Sequence, residues 1–322
     1  MEQPVTRPCG NPTGIKRVAI GMPLSTLLYR LFAACLLAGP LSLPAQAGAP
    51  ADALRERHAA LAPQLARNPY GRPMHIESTQ TSGDLKGEVY AVVDHPFATL
   101  DRELRSAAQW CEILILHLNV KHCRASGNAP NSMLAVSIGK KHDQALADAH
   151  RVNFEYQLAS ATPDYLKIML DAKQGPLGTR DYRILVEAIP LDAGRSFVHM
   201  SYAYGYGLAA RLAMQGYLGT IGSGKVGFSV VEQRPDGQPV YVDNVRGVVE
   251  RNAMRYFLAL DAYLASLSAP PAERQERRLR DWFAATERHA RQLRELERDD
   301  YLAMKRKEIQ RQQAGVQTAK NF

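Results

Sequence analysis

EVYAVVDHPFATLDRELRSAAQWCEIL, residues 88–114, places two kinds of local order end to end. Val89 to Val93 is an apolar, β-branched run suited to a buried strand. Asp94 stands where a helix cap belongs, and Pro96 suits a first helical turn. Phe97, Leu100, Leu104, Ala107 and Ala108 then recur at helical spacing. A strand that passes straight into a helical segment, with Trp110 and Cys111 near its end, sets the frame for the rest of the chain.

Upstream, residues 52–68 (DALRERHAALAPQLARN) predict a short helix with Leu54, His58, Leu61 and Leu65 on one stripe, ended by NPYGRP. Residues 75–93 predict an extended stretch broken at SGD. Downstream the chain is β-rich. LHLNVKHCRAS, SMLAVSIG, VNFEYQLAS, DYLKIMLDA, RDYRILVEAIP and GRSFVHMSYAYGYG alternate between turn residues. A helical LAARLAMQGYL follows, then KVGFSVVE and PVYVDNV around the turn at RPDGQP. VRGVVERNAMRYFLALDAYLASL predicts a long helix with Val249, Ala253, Phe257, Leu260, Leu264 and Leu267 as its apolar stripe.

This order resembles the START-like (Bet v 1-like, helix-grip) superfamily over residues 75–267. Members show a first strand, an acidic-x-Pro turn into a helix and a Trp where the helix pair ends; here these are Val89 to Val93, Asp94, Pro96, Phe97 and Trp110. The resemblance implies an α+β fold: a curved antiparallel β-sheet wrapped around a long C-terminal helix, with a cavity between them. An N-terminal helix and a C-terminal helical extension lie outside the pattern. So does the segment 208–242, which holds a helix and about two strands before the final helix. A β-barrel with peripheral helices is the competing architecture.

The expected organisation is a signal peptide over 1–47, a helix and linker over 48–74, the START-like domain over 75–268 and a basic helical tail over 269–322. LFAACLLAGPLSL, residues 31–43, is an apolar run of thirteen followed by Ala45 and Ala47 in an A-x-A cleavage pattern. Spanning a bilayer takes about 20 apolar residues, so the protein is expected to be exported, periplasmic or secreted. Met22 is the better start. Cys9 and Cys35 then leave with the leader, and an oxidising compartment favours a disulfide between Cys111 and Cys123. Were residues 111–123 one strand, the sulfurs would lie about 40 Å apart at ~3.3 Å per residue. The bridge therefore needs WCEILIL to finish a helix and LNVKHC to return as a strand.

The net charge of +8 sits in the ends. Residues 48–270 carry 23 basic and 22 acidic side chains, which argues against a nucleic-acid-binding core. Pro270 and Pro271 open a polar helix running to about Gln313, with Glu273–Arg277, Glu276–Arg280 and Glu287–Arg291 as i,i+4 pairs. Leu279, Trp282, Thr286, Leu293 and Leu296 sketch an incomplete seam. This region reads as a solvated helix, or as a docking element for a protein or an anionic membrane surface over 271–313.

In FVHMSYAYGYG, residues 197–207, Met200, Tyr202, Tyr204 and Tyr206 share one strand face. They either line the cavity or pack as ordinary core. With Arg255 and Tyr256 of the final helix they form the candidate ligand site, where Arg255 would meet an anionic head group; Arg251 lies one turn away. The competing role for these arginines is an ion pair with Glu155 or Glu187. GTIGSGKV, residues 219–226, lacks the Ser or Thr of a P-loop at Val226 and has a helix where a strand should precede it. His117, His122 and Cys123 do not converge as metal ligands along a strand. No catalytic residue, cofactor or metal is assigned. The expected function is binding of a lipid or other amphipathic small molecule. The alternatives are an envelope scaffold acting through its tail, and a cyclase- or hydrolase-type enzyme, for which His199 with a carboxylate in the cavity would be the sign. His199 falls on the face opposite the tyrosines.

Overall fold

The computed structural model describes residues 50–128, 131–220 and 222–320. The expected leader, with Met22, Cys9 and Cys35, lies outside the described residues. Residues 48–322 form one compact unit. Among the described residues, no helix is long and apolar enough to cross a membrane.

The chain runs α1 (Pro50–Ala60), α2 (Ala62–Ala66), β1 (Met74–Gln80), β2 (Asp84–Val93), α3 (Phe97–Leu104), α4 (Ala107–Leu114), β3 (Val120–Asn128), β4 (Asn131–Ile138), β5 (His150–Thr162), β6 (Tyr165–Gln174), β7 (Thr179–Pro190) and β8 (Ser196–Tyr206). It continues through α5 (Leu208–Leu218), β9 (Val230–Gln233), β10 (Pro239–Tyr241), α6 (Asn244–Ser266), α7 (Pro271–Glu287), α8 (Ala290–Leu293) and α9 (Arg298–Lys320). Eight strands form one curved antiparallel sheet in the order β1-β2-β8-β7-β6-β5-β4-β3. The first strand of the deciding stretch thus pairs with the last, β8, which closes the helix pair α3–α4 over one end. The α+β helix-grip class is what the sheet and α6 show. The insertion 208–242 becomes α5 and a separate β9–β10 hairpin.

Alternation decides which side chains meet α6. On β5, Val152, Phe154 and Tyr156 are buried while Asn153, Glu155 and Gln157 are exposed. The inner face carries the main core, and α6 crosses it against β1, β2 and β8. Gly87 marks the crossing: a Cβ there would lie 2.9 Å from the Val249 carbonyl oxygen and 3.1 Å from the Ala253 Cβ. Only a residue without a side chain lets the helix sit so low. The outer face near β2 and β8 holds a smaller core in which Leu54 of α1, Leu61 at the junction and Leu65 of α2 cover Tyr90, Val92 and Phe197.

The deciding stretch departs from expectation at its turn. Pro96 is the residue before the first turn of α3, and Asp94 makes no capping hydrogen bond. The Ser196 hydroxyl instead ties the turn by donating to the His95 carbonyl at 2.8 Å. Trp110 is fully buried and its indole N–H donates to the Leu104 carbonyl at 2.9 Å, which fixes α4 beneath α3. Helix α4 and strand β3 bring Cys111 and Cys123 to a Cα separation of 5.2 Å in a disulfide.

The tail is not the single solvated helix expected from its charge. It breaks into α7, α8 and α9, and the breaks let Trp282 stack on Tyr301 at 4.8 Å with both buried. Burial of large aromatic surface outweighs the polar surroundings of these residues. Glu276–Arg280 forms as expected at 2.8 Å, whereas Arg277 pairs with Asp281 and Glu287 with Arg294. Helix α9 lies along the edge strand β3. Lys305 Nζ donates to the carbonyls of His117 and Val120, both at 2.7 Å, and Gln312 Oε1 accepts the Cys123 backbone N–H at 2.9 Å. Burial lowers the Lys305 ammonium to about 8, against the opposing pull of Glu308.

Candidate functional site: a tyrosine-walled pocket

Strand β8 is buried along its whole length, with Met200, Tyr202, Tyr204 and Tyr206 on the inner face. Tyr182 of β7 joins them and stacks on Tyr204 at 5.3 Å and 16°. Tyr202 lies 5.6 Å from Tyr204 and 5.2 Å from Tyr256 of α6. Tyr182, Tyr202 and Tyr204 form one wall of a pocket of about 290 Å³. Its other walls are Ala210, Ala213 and Met214 of α5, Val248 and Asn252 of α6, and the turn at Pro176, Leu177 and Thr179. At the mouth Leu177 is 64% exposed, and the α5 side is walled by Ala210, Ala213 and Met214. Leu177 is held outward in the left-handed region, at φ 57°.

The sequence-predicted residues divide. Tyr202 and Tyr204 line the pocket. The Tyr206 hydroxyl is spent at the β1–β2 turn, donating to the Thr81 carbonyl at 3.2 Å. Met200 is closed off in the core, and Tyr256 stacks on His117 at 4.5 Å behind the wall. Arg255 is buried on another side of α6, where it meets Glu295 at 2.8 Å and the Leu293 carbonyl at 3.1 Å. Its carboxylate partner is therefore neither Glu155 nor Glu187, both of which sit at outward-facing strand positions. Sequence did not point to Tyr182, Met214 or Val248 as site residues; Tyr182 was within reach, because it alternates in register with Ile184 and Val186 on β7.

Burial raises the phenols of Tyr202, Tyr204 and Tyr182 above the ordinary tyrosine range, so they stay neutral donors and acceptors. For Tyr204 the Arg251 charge acts in the opposite direction. The Tyr204 hydroxyl faces the Met214 sulfur at 3.6 Å. Rings, a thioether, one amide and the phenol hydroxyls can grip an amphipathic molecule. Two wider depressions, of about 440 and 530 Å³, lie over the outward-facing Glu155 and Asp171 of β5 and β6. Their linings are mainly solvent-facing polar side chains.

His199 does meet carboxylates, but on the outer face. Nδ1 lies 2.9 Å from Glu187 and Nε2 lies 3.0 Å from Glu88, while Tyr90 stacks on the ring at 4.4 Å. Tyr165 donates to Glu187, and Lys86 pairs with Glu88 at 2.7 Å. Burial would raise Glu88, but hydrogen bonds from His199 and Lys86 outweigh it and hold the carboxyl down at about 2. Burial would lower His199, and the two carboxylates overturn that and raise it. This is a charged brace roofed by α1, remote from the tyrosine pocket.

In the glycine loop after α5, the backbone N–H groups of Ser223 and Lys225 donate to the carbonyls of Thr220 and Gly222, both at 3.1 Å, and the chain just beyond the loop closes on Glu250. The backbone N–H groups of Phe228 and Ser229 donate to Glu250 at 2.6 and 2.9 Å, and the hydroxyls of Ser78 and Ser229 complete the carboxylate at 2.6 and 2.7 Å. His117 lies in the turn before β3, not in the strand, and Cys123 is bonded to Cys111.

No family model and no curated protein matches the chain. Among solved structures it is similar to the STAR-related lipid transfer protein (fragment 25–204) from Xanthomonas axonopodis, at 11% identity over 48% of this chain and 89% of that one, with a TM-score of 0.34. It is similar to truncated norcoclaurine synthase from Thalictrum flavum, at 12% identity over 45% and 91%, TM-score 0.32. It is also similar to Zhui aromatase/cyclase from Streptomyces sp. R1128, at 10% identity over 67% and 96%, TM-score 0.30. At these scores nothing about activity passes from those proteins to this one. Its own strand order, with the first core strand paired to the last and a long helix across the inner face, gives this chain a helix-grip fold.

Proposed function

We propose that the protein binds a compact amphipathic small molecule in the tyrosine-walled pocket, in an exported compartment. The observation that carries the reading is the joining of three buried phenols to the apolar side chains of Leu177, Met214 and Val248 in one pocket between sheet, α5 and α6. A volume near the lower end of the usual ~300–1,000 Å³ range favours a ring-sized ligand over a long acyl chain. The apolar run with its cleavage pattern and the Cys111–Cys123 disulfide support export. The apolar side of α7–α9 is used within the chain, which leaves only its polar side for a partner.

The test is native mass spectrometry of the protein recovered from the exported fraction, before and after solvent extraction. A discrete added mass that leaves on extraction, and is absent from Tyr202→Ala, is the expected result. A bare polypeptide mass from both proteins, with no small aromatic retained on titration, overturns the proposal.

A further inference from the structure

Arg251 is 1% exposed, and among the described residues its one hydrogen bond runs from Nη1 to the Val226 carbonyl at 3.2 Å. Among the described residues, no carboxylate lies within 4 Å of its guanidinium. The next residue, Glu250, is fully engaged by Ser78, Phe228 and Ser229. A buried guanidinium with five N–H donors is costly unless an anion and further acceptors meet it. Close by, Arg255 and Lys141 both meet Glu295, at 2.8 and 2.6 Å, and Lys225 donates to the Arg294 carbonyl.

Arg251 stands next to the pocket. Its helical neighbours Val248 and Asn252 line the walls, and its charge reaches Tyr204. We infer that Arg251 is an anion-recognising residue of the tyrosine pocket, and that the ligand is an aromatic or alicyclic molecule bearing a carboxylate, sulfonate or phosphate. The inference rests on the pocket reading above and names the class of molecule it takes. Arg255, one turn on, is excluded from this role because Glu295 already neutralises it.

The test titrates 2-naphthoate and its neutral isostere 2-naphthamide by calorimetry into wild type, Arg251→Gln and Tyr202→Ala. Wild type is expected to bind the carboxylate at least tenfold more tightly than the amide. Arg251→Gln brings that ratio to within about twofold by weakening the carboxylate alone, whereas Tyr202→Ala weakens both. An unliganded Arg251→Gln protein that melts at or above the wild-type temperature is also expected, because an unneutralised buried charge has been removed. Equal binding of the two compounds by wild type overturns the inference and leaves the pocket standing. Binding of neither overturns both. If Arg251→Gln does not fold, the wild-type ratio alone decides, supported by Arg251→Lys, which keeps the charge and loses the fork.

Discussion

Reducing the Cys111–Cys123 bond changes no side chain and isolates the worth of one cross-link. The cysteines are 12 residues apart in sequence. In the chain-entropy description, a loop of that size removes about 9.5 cal/mol/K from the unfolded ensemble, or about 2.8 kcal/mol at 25 °C. At about 2 °C per kcal/mol for a unit of this size, the reduced protein should melt about 6 °C below the oxidised one. The assay is differential scanning calorimetry with and without a phosphine reductant, mass spectrometry confirming a difference of two hydrogens. Both sulfurs are buried between α4 and β3, so the native packing changes little on reduction. A reduced form melting within about 1 °C of the oxidised one would refute the reasoning: either the loop is already ordered in the unfolded chain, or the bond strains the fold by as much as it constrains it.

Gly87→Ala should destabilise the protein by about 1–3 kcal/mol in urea unfolding, because its methyl group meets the Val249 carbonyl at the helix crossing; an unchanged midpoint would mean that α6 does not sit on β2 at that point. The outer-face brace has opposite signs at its two ends. Glu88, held at about 2 against an ordinary 4.5, contributes stability that is present above about 4.5 and lost as pH falls towards 2. His199, raised from 6.5, contributes stability that is full below 6.5 and lost as pH rises through its folded value. The gap between wild type and His199→Gln, about 3 kcal/mol, should therefore be widest between pH 4.5 and 6.5, and a gap constant from pH 4 to 9 would show that the brace is not charged. Deleting residues 271–322 should abolish cooperative unfolding, since Trp282, Tyr301 and Met304 are core; a sharp melting transition in the truncated chain would return the tail to the role of an appendage.

The strands and α6 were legible because each carries its own period: Val152, Phe154 and Tyr156 announce a face without reference to any other element. The disulfide was legible for the same reason, since a helix followed by a returning strand was the one local geometry that closes it. What sequence did not show depends on pairing. Glu88 and Glu187 flank His199 only because β2 and β7 sit on either side of β8; Glu187 is 12 residues away across a hairpin, but no spacing in one dimension reports Glu88, 111 residues away. Arg251 and Arg255 look alike along α6. The difference is Glu295, delivered by a break in a helix whose charge pattern concealed Trp282 and Tyr301 as anchors. Tyr206 was misplaced for a simpler reason: alternation gives a face, not the point along a strand where a pocket ends.

Helix α9 lies along the free edge of β3, and that has a consequence in time. Cys123 and the Gln312 that accepts its N–H are separated by 189 residues. At about 5–20 residues per second, a growing chain carries the uncovered strand for about 10–40 s before its cover exists. During that interval the unpaired edge is a template for any extended peptide, including another copy of the same nascent chain. Helix α9 thus closes an edge that stays open until a segment 189 residues downstream of Cys123 has been made. A stop codon placed at residue 298 should give chains that co-sediment with holdases or with one another, while the full-length chain stays dispersed.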